Sequence, residues 1–210
     1  MLQQAFLSDQ AAPANPVPQQ ALLTDDSAAI LRFAVEALKA GVAAALVTLV
    51  AIRGGAARAL GAQMVVREDG LYCGFVSGGC VEAAVAHEAM AVIACGRDRQ
   101  VMYGEGSPWF DIVLPCGGGI TLSIHKLRGA RPLLDVLNLL EQRQPAGLRY
   151  FPQSQRLQSD ASLIRTGWHN DFFATGYRPC TRTIVFGRSI EAQVTASLAQ
   201  AAGYDVHLCE

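Results

Sequence analysis

The chain has 210 residues, 51% hydrophobic and 17% charged, enough for one large domain or for one domain and part of a second. Its formal charge of -1 comes from 17 basic and 18 acidic side chains with no long run of either sign, so it lacks the basic footprint of a nucleic-acid binder. The longest apolar run, Val42 to Ile52, would cross about half of a bilayer core as a helix, which argues against a membrane span and for a buried strand.

Met1 to Gln20 lacks the basic start and apolar stretch of a secretory signal, and residues 1–24 read as a mobile tail of a cytoplasmic protein. A helix is predicted from Ser27 to Ala40, with Thr24, Asp25, Asp26 and Ser27 as candidate caps and Gly41 as its stop. The strand Ala44 to Ile52 follows, then the loop Arg53-Gly54-Gly55-Ala56-Ala57-Arg58. Gln63 to Arg67 and Leu71 to Val76 flank Asp69-Gly70 and predict a hairpin. Its second strand runs into Ser77-Gly78-Gly79-Cys80, and a helix from Val81 to Ala94 ends at Gly96. Strands are expected near Arg99 to Tyr103, Phe110 to Leu114 and Ile120 to Leu127, with a helix from Pro132 to Glu141. Residues 142–176 show only short strand-like pieces around Tyr150 and Phe172.

The end of the chain is clearer. Thr183 to Phe186, Ile190 to Ala202 and Asp205 to Cys209 read as strand, helix and strand, the opening of a Rossmann-type unit. The expected fold class is α/β: a mixed-sheet α/β domain over 25–145, a connecting region over 146–180 and an incomplete Rossmann-like βαβ segment over 181–210. A lone βαβ unit cannot bury both faces of a parallel sheet, and its open edge makes a homodimer an expectation.

Six cysteines, Cys73, Cys80, Cys95, Cys116, Cys180 and Cys209, occur without any Cys-x-x-Cys pair, so neither zinc nor a disulfide framework is supported. Cys80 and Cys116 stand apart because each adjoins glycines. In Ser77-Gly78-Gly79-Cys80 a strand ends and a helix begins, so unpaired N–H groups and the helix dipole favour an anion, with Cys80 in the first turn. A tight packing turn with a buried thiol accounts for the same residues equally well. Pro115-Cys116-Gly117-Gly118-Gly119 repeats the pattern, and two sulfurs near one soft centre would suit a metal or a sulfur-bearing group. An inert glycine-rich loop is the plainer alternative.

Arg53 and Arg58 bracket a flexible loop suited to a phosphate or a pterin, although taken alone solvated surface arginines are the more ordinary account. Glu82 is placed to meet the positive helix end or the glycine turn. Gly187-Arg188-Ser189-Ile190-Glu191-Ala192 approximates a dinucleotide fingerprint, with Glu210 at the ribose position. Ser189 replaces the glycine that lets a pyrophosphate approach, so a scaffold role is favoured over NAD(P) binding.

Taken in order, Leu46-Val47-Thr48, Arg53-Gly54 and Arg58, Gly61-Ala62-Gln63-Met64, Asp69-Gly70, Gly74 to Glu82 and Cys116-Gly117-Gly118 resemble the N-terminal domain of the XdhC/CoxI family, the accessory factors of xanthine dehydrogenase and related molybdenum hydroxylases. The resemblance covers about residues 28–127, and the segment from Thr183 is similar to the start of the family's C-terminal domain. It implies binding of the molybdenum cofactor (molybdopterin), presentation to a cysteine desulfurase and delivery to an apo xanthine dehydrogenase-type hydroxylase. Carried over by position, it implies cofactor-binding roles for Arg53, Arg58, Ser77, Gly78, Gly79, Cys80, Glu82, Cys116, Gly117 and Gly118. The family's usual Gly-Ser-x-Pro-Arg reads Gly54-Gly55-Ala56-Ala57-Arg58 here. The competing functional classes are an NAD(P)- or flavin-dependent oxidoreductase and a degenerate, noncatalytic paralogue.

Overall fold

The computed structural model describes residues 16–107, 114, 117–162 and 164–210. Cys116, and all but Leu114 of the strand expected over Phe110 to Leu114, lie outside the described residues.

In chain order the elements are β1 (Gln19–Leu22), α1 (Ser27–Lys39), β2 (Ala44–Arg53), β3 (Gln63–Arg67), β4 (Leu71–Gly74), α2 (Glu82–Cys95), β5 (Arg99–Gly104), β6 (Gly119–Lys126) and α3 (Arg131–Glu141). They are followed by β7 (Ala146–Phe151), β8 (Arg156–Asp160), β9 (Gly167–His169), β10 (Phe172–Tyr177), β11 (Arg182–Phe186), α4 (Ile190–Ala201) and β12 (Asp205–Cys209). The fold is mixed α/β, as the sequence predicts.

β2 sits inside a six-stranded sheet of order β1-β4-β3-β2-β6-β5. It alternates between two cores, which explains a run with almost no polar residue. Ala45, Val47 and Leu49 meet Val85, Ala89 and Val92 of α2, together with Leu122 and Ile124 of β6. Ala44 and Leu46 face the other way, toward Leu31 and Ala34 of α1 and Val136 of α3. Each Val, Leu or Ile so removed from water contributes roughly 1.5–3 kcal/mol, and the alanines less. The helix ends follow their local chemistry. The Asp26 carboxylate accepts the N–H groups of Ala28 and Ala29 at the start of α1, and Gly96 ends α2 in the left-handed conformation.

Two regions differ from the sequence expectation. Residues 1–24 are not wholly a tail, because Gln19–Leu22 runs parallel to β4 and closes that sheet edge. Their side chains are all exposed, so the strand is held by its backbone and has no apolar alternation to announce it. Within 146–180, expected as a connection with short strand-like pieces around Tyr150 and Phe172, lies an antiparallel sheet of order β8-β7-β10-β9. Leu148 and Tyr177 join the α1/α3 core.

Asp98 fastens the two sheets together. Its carboxylate accepts the Tyr150 hydroxyl of β7 at 2.9 Å and the Lys126 backbone N–H at 3.0 Å, and it meets the His125 ring at 2.5 Å and Arg128 at 3.2 Å. Burial alone would raise its pKa, but His125, Lys126 and Tyr150 together hold it below the usual aspartate value.

β11 and β12 pair in parallel, with α4 as the crossover. Arg143 joins this unit to the loop after α3 through Asp205 at 3.0 Å and the Cys180 carbonyl at 3.0 Å. Ile184, Phe186, Ile190, Val194 and Leu198 of the unit are exposed. Among the described residues, no helix is long and apolar enough to cross a membrane.

Candidate functional site

Strand direction brings the glycine motifs to one end of the six-stranded sheet. Arg53, which ends β2, pairs with Gly119 at the start of β6, and Gly119 pairs with Gly104 at the end of β5. β4 finishes two strands away at Gly74, from which the chain passes through Ser77–Cys80 into α2. The loops touch through their glycines. A Cβ on Gly54 would lie 3.5 Å from Gly118 Cα, and one on Gly78 would lie 3.4 Å from Ala57 Cβ. A Cβ on Gly118 would stand 2.1 Å from the Gly55 carbonyl oxygen, so only glycine permits this junction. Gly117 is exposed on the outer side of the same contact.

The turn before α2 is organised from within. Glu82 is only 2% exposed, and its carboxylate accepts six hydrogen bonds. The backbone donors are Val76 (3.0 Å), Ser77 (2.7 Å), Gly78 (3.1 Å), Gly79 (2.9 Å) and Val81 (3.2 Å), and the Ser77 hydroxyl donates at 2.6 Å. The same hydroxyl accepts the N–H groups of Cys80 and Val81, each at 3.1 Å. Burial works to raise the Glu82 pKa, but the bonds from Ser77 and Val76 outweigh it and hold the carboxyl below its ordinary value of 4.5.

This arrangement corrects the sequence reading in three respects. The N–H groups of Ser77, Gly78 and Gly79, expected to cradle an external anion, are directed at Glu82. Glu82, for which the residues predict a bond to the glycine turn and the resemblance implies a ligand contact, is buried beneath the turn and makes the first. Cys80 precedes the cap residue Val81 and so stands outside the first helical turn, with an exposed side chain.

The two arginines have separate fates. Arg53 turns into the protein, donating Nε–H to the Glu105 carbonyl at 2.9 Å and Nη1–H to the Thr121 hydroxyl at 3.1 Å. Its guanidinium therefore pins the loop after β5 to β6, contrary to the ligand contact expected of it. Arg58 stays at the surface beside Asp25, at 3.1 Å. It shares an open groove of about 310 Å³ with Leu23, Thr24, Asp25, Phe75 and Gly78. Arg58 also lines a second groove of about 360 Å³, whose walls include Ser27, Gly61, Thr166 and Gly176.

Sequence reasoning missed Asp25 as a partner of Arg58 and Glu105 as a partner of Arg53. Each pair is more than thirty residues apart in the chain, and no local pattern announces it. At the far end of the chain, Ser189 caps α4 by accepting the Ala192 N–H at 3.4 Å. The side chain standing where a nucleotide-binding glycine would be thus has a structural task.

Comparison with known proteins agrees with this architecture. A solved chain described as a xanthine dehydrogenase from Bacillus halodurans superposes with a TM-score of 0.69 at 20% identity, covering 85% of this chain and 61% of that one. At that identity the likeness is one of fold. The molybdenum cofactor insertion chaperone PaoD of Escherichia coli (strain K12) is 69% identical over 191 residues, covering 91% of this chain. The chain spans 60% of that relative's length. Residues 37–104, which run from the end of α1 to the end of β5 and include the Arg53–Arg58 and Ser77–Glu82 loops, match the XdhC and CoxI family. The chain belongs to the XdhC and CoxI family.

Proposed function

We propose that this protein binds the molybdenum cofactor as cargo and delivers it to an apo xanthine dehydrogenase-type hydroxylase. The observation that carries the reading is the convergence of three glycine loops at the groove of Arg58 and Gly78, with the exposed Cys80 two residues beyond Gly78 in the chain. A pyranopterin cargo offers a phosphate, a planar heterocycle and a sulfur-held metal. The loop end supplies a guanidinium, an open groove and a thiol, the donor types such a cargo requires. The name of the Escherichia coli relative points to the same cargo.

In this reading Cys80, Gly78 and Arg58 face the cargo, with Gly79, Gly117 and Gly118 shaping its surroundings and Cys116 contributing a second thiol. Ser77, Glu82 and Arg53 act by fixing the loops. The holding step takes place in the cytoplasm, with a cysteine desulfurase as the partner that meets the loaded form, and the protein acts as a homodimer.

The test is anaerobic purification of the protein in the presence of a cofactor source, followed by measurement of bound pterin and molybdenum. Both are expected in wild type, and the absence of both overturns the reading. Cys80→Ala is expected to retain less cargo than Cys95→Ala, because Cys95 lies at the opposite end of α2.

A further inference from the structure

Among the described residues, the α2 turn and the Arg58 groove are two places at this end of the sheet where a negative group would ordinarily be received. They are not equivalent. The turn already surrounds a carboxylate, since Glu82 takes the N–H groups of Ser77, Gly78, Gly79 and Val81 along with that of Val76. A second anion there would meet a fixed negative charge, with the N–H groups of the turn already taken. Arg53 has a buried, unpaired Nη2 as well, but that atom packs against Gly106 and Gly119 while Nε and Nη1 are held by Glu105 and Thr121. Arg58 instead opens onto a groove: its Nε is buried without a hydrogen-bond partner, and its Nη1 meets the Asp25 carboxylate. That carboxylate is 67% exposed, so water replaces the guanidinium at little cost when the pair opens.

We propose that Arg58 is the receptor for a phosphate group in the groove beside Gly78, and that Asp25 is a built-in competitor which holds the guanidinium in the empty state and returns to it on release. The proposal rests on the cargo reading above and adds to it where the anionic end lies and how it is let go. Asp25 presents Arg58 with the kind of oxygen pair a phosphate would present, from the same groove wall. Entry of the ligand exchanges one exposed ion pair for another and leaves no charge stranded. Cys80 remains free for the soft end of the cargo.

The experiment titrates the 210-residue chain, free of cofactor, with inorganic pyrophosphate while following the Arg58 Nε–H resonance by NMR. Saturable binding is expected in wild type. Arg58→Gln should weaken it by roughly tenfold or more, as expected for a lost bidentate guanidinium contact. Asp25→Asn should tighten it by about two- to fivefold, the scale of one exposed ion pair. Arg32→Gln, at a surface pair with Glu141 on another part of the molecule, should leave it unchanged. No saturable binding in wild type, equal binding in Arg58→Gln, or no tightening in Asp25→Asn overturns the proposal.

Cofactor loading of the same variants is measured separately. Wild type that binds pyrophosphate at Arg58 but never acquires pterin or metal refutes the cargo reading and leaves the anion site standing. Loading that is as strong in Arg58→Gln as in wild type refutes the anion site and leaves the cargo reading standing.

Discussion

Glu82 shows how one side chain decides what a motif can do. Six donors around a buried carboxylate make a turn that is complete without a ligand. Glu82→Gln puts an amide NH2 against backbone N–H groups, and is expected to destabilise the fold by about 2–4 kcal/mol in urea unfolding at neutral pH. Because the folded pKa of Glu82 is lowered, its contribution is full above the ordinary value of 4.5 and declines as pH falls through the folded value. The stability gap between wild type and Glu82→Gln should therefore narrow in acid; a gap that widens would contradict this account. The sequence places Glu82 at a positive helix end and next to a glycine turn, both of which the structure contains. Which way the carboxylate turns was not legible, since an acidic residue in a first turn suits a solvated and a buried orientation alike.

At the scale of elements, the loops depend on close backbone approach more than on side chains. Gly118→Ala would drive a methyl group into the Gly55 and Arg53 carbonyl oxygens, at 2.1 and 2.5 Å. It is expected to cost about 3 kcal/mol or more, by analogy with overpacking of a rigid core. Gly129→Ala, at a position open within 4 Å and without positive φ, should be neutral or slightly stabilising. Equal thermal unfolding midpoints for the two variants would refute this dependence. Elements with strong local signals were readable in advance: α1 from its cap and apolar spacing, β2 from its apolar run, and the β3–β4 hairpin from Asp69-Gly70. β1 was not, because it is a four-residue strand paired only through its backbone to β4, about fifty residues away. The second sheet was obscured for a related reason. β8 and β9 are short and partly exposed, and their pairing is set by β7 and β10 and not by their own residues.

At the scale of the whole molecule, the Asp98 cluster ties the sheet that carries the loops to the sheet behind it. Asp98→Ala leaves His125 and Arg128 without their shared anion and is expected to destabilise by about 3–5 kcal/mol, whereas Tyr150→Phe, which removes one hydrogen bond, should cost about 1 kcal/mol. The lowered pKa of Asp98 gives its contribution the same sign as that of Glu82: present above the ordinary 3.8 and lost as pH falls through the folded value. Chemical denaturation of the two variants at neutral pH checks the order, and a larger loss in Tyr150→Phe would refute it. The frame behind the loops is thus fixed by buried charge on one side and apolar packing on the other. The self-filled turn above α2 adds a consequence for a carrier's working cycle. A loop that needed its cargo to hold its shape would have to fold at every loading and collapse at every discharge. One folded around its own carboxylate keeps its shape with or without a ligand, so in the carrier role proposed above the binding surface would not have to be rebuilt between loads.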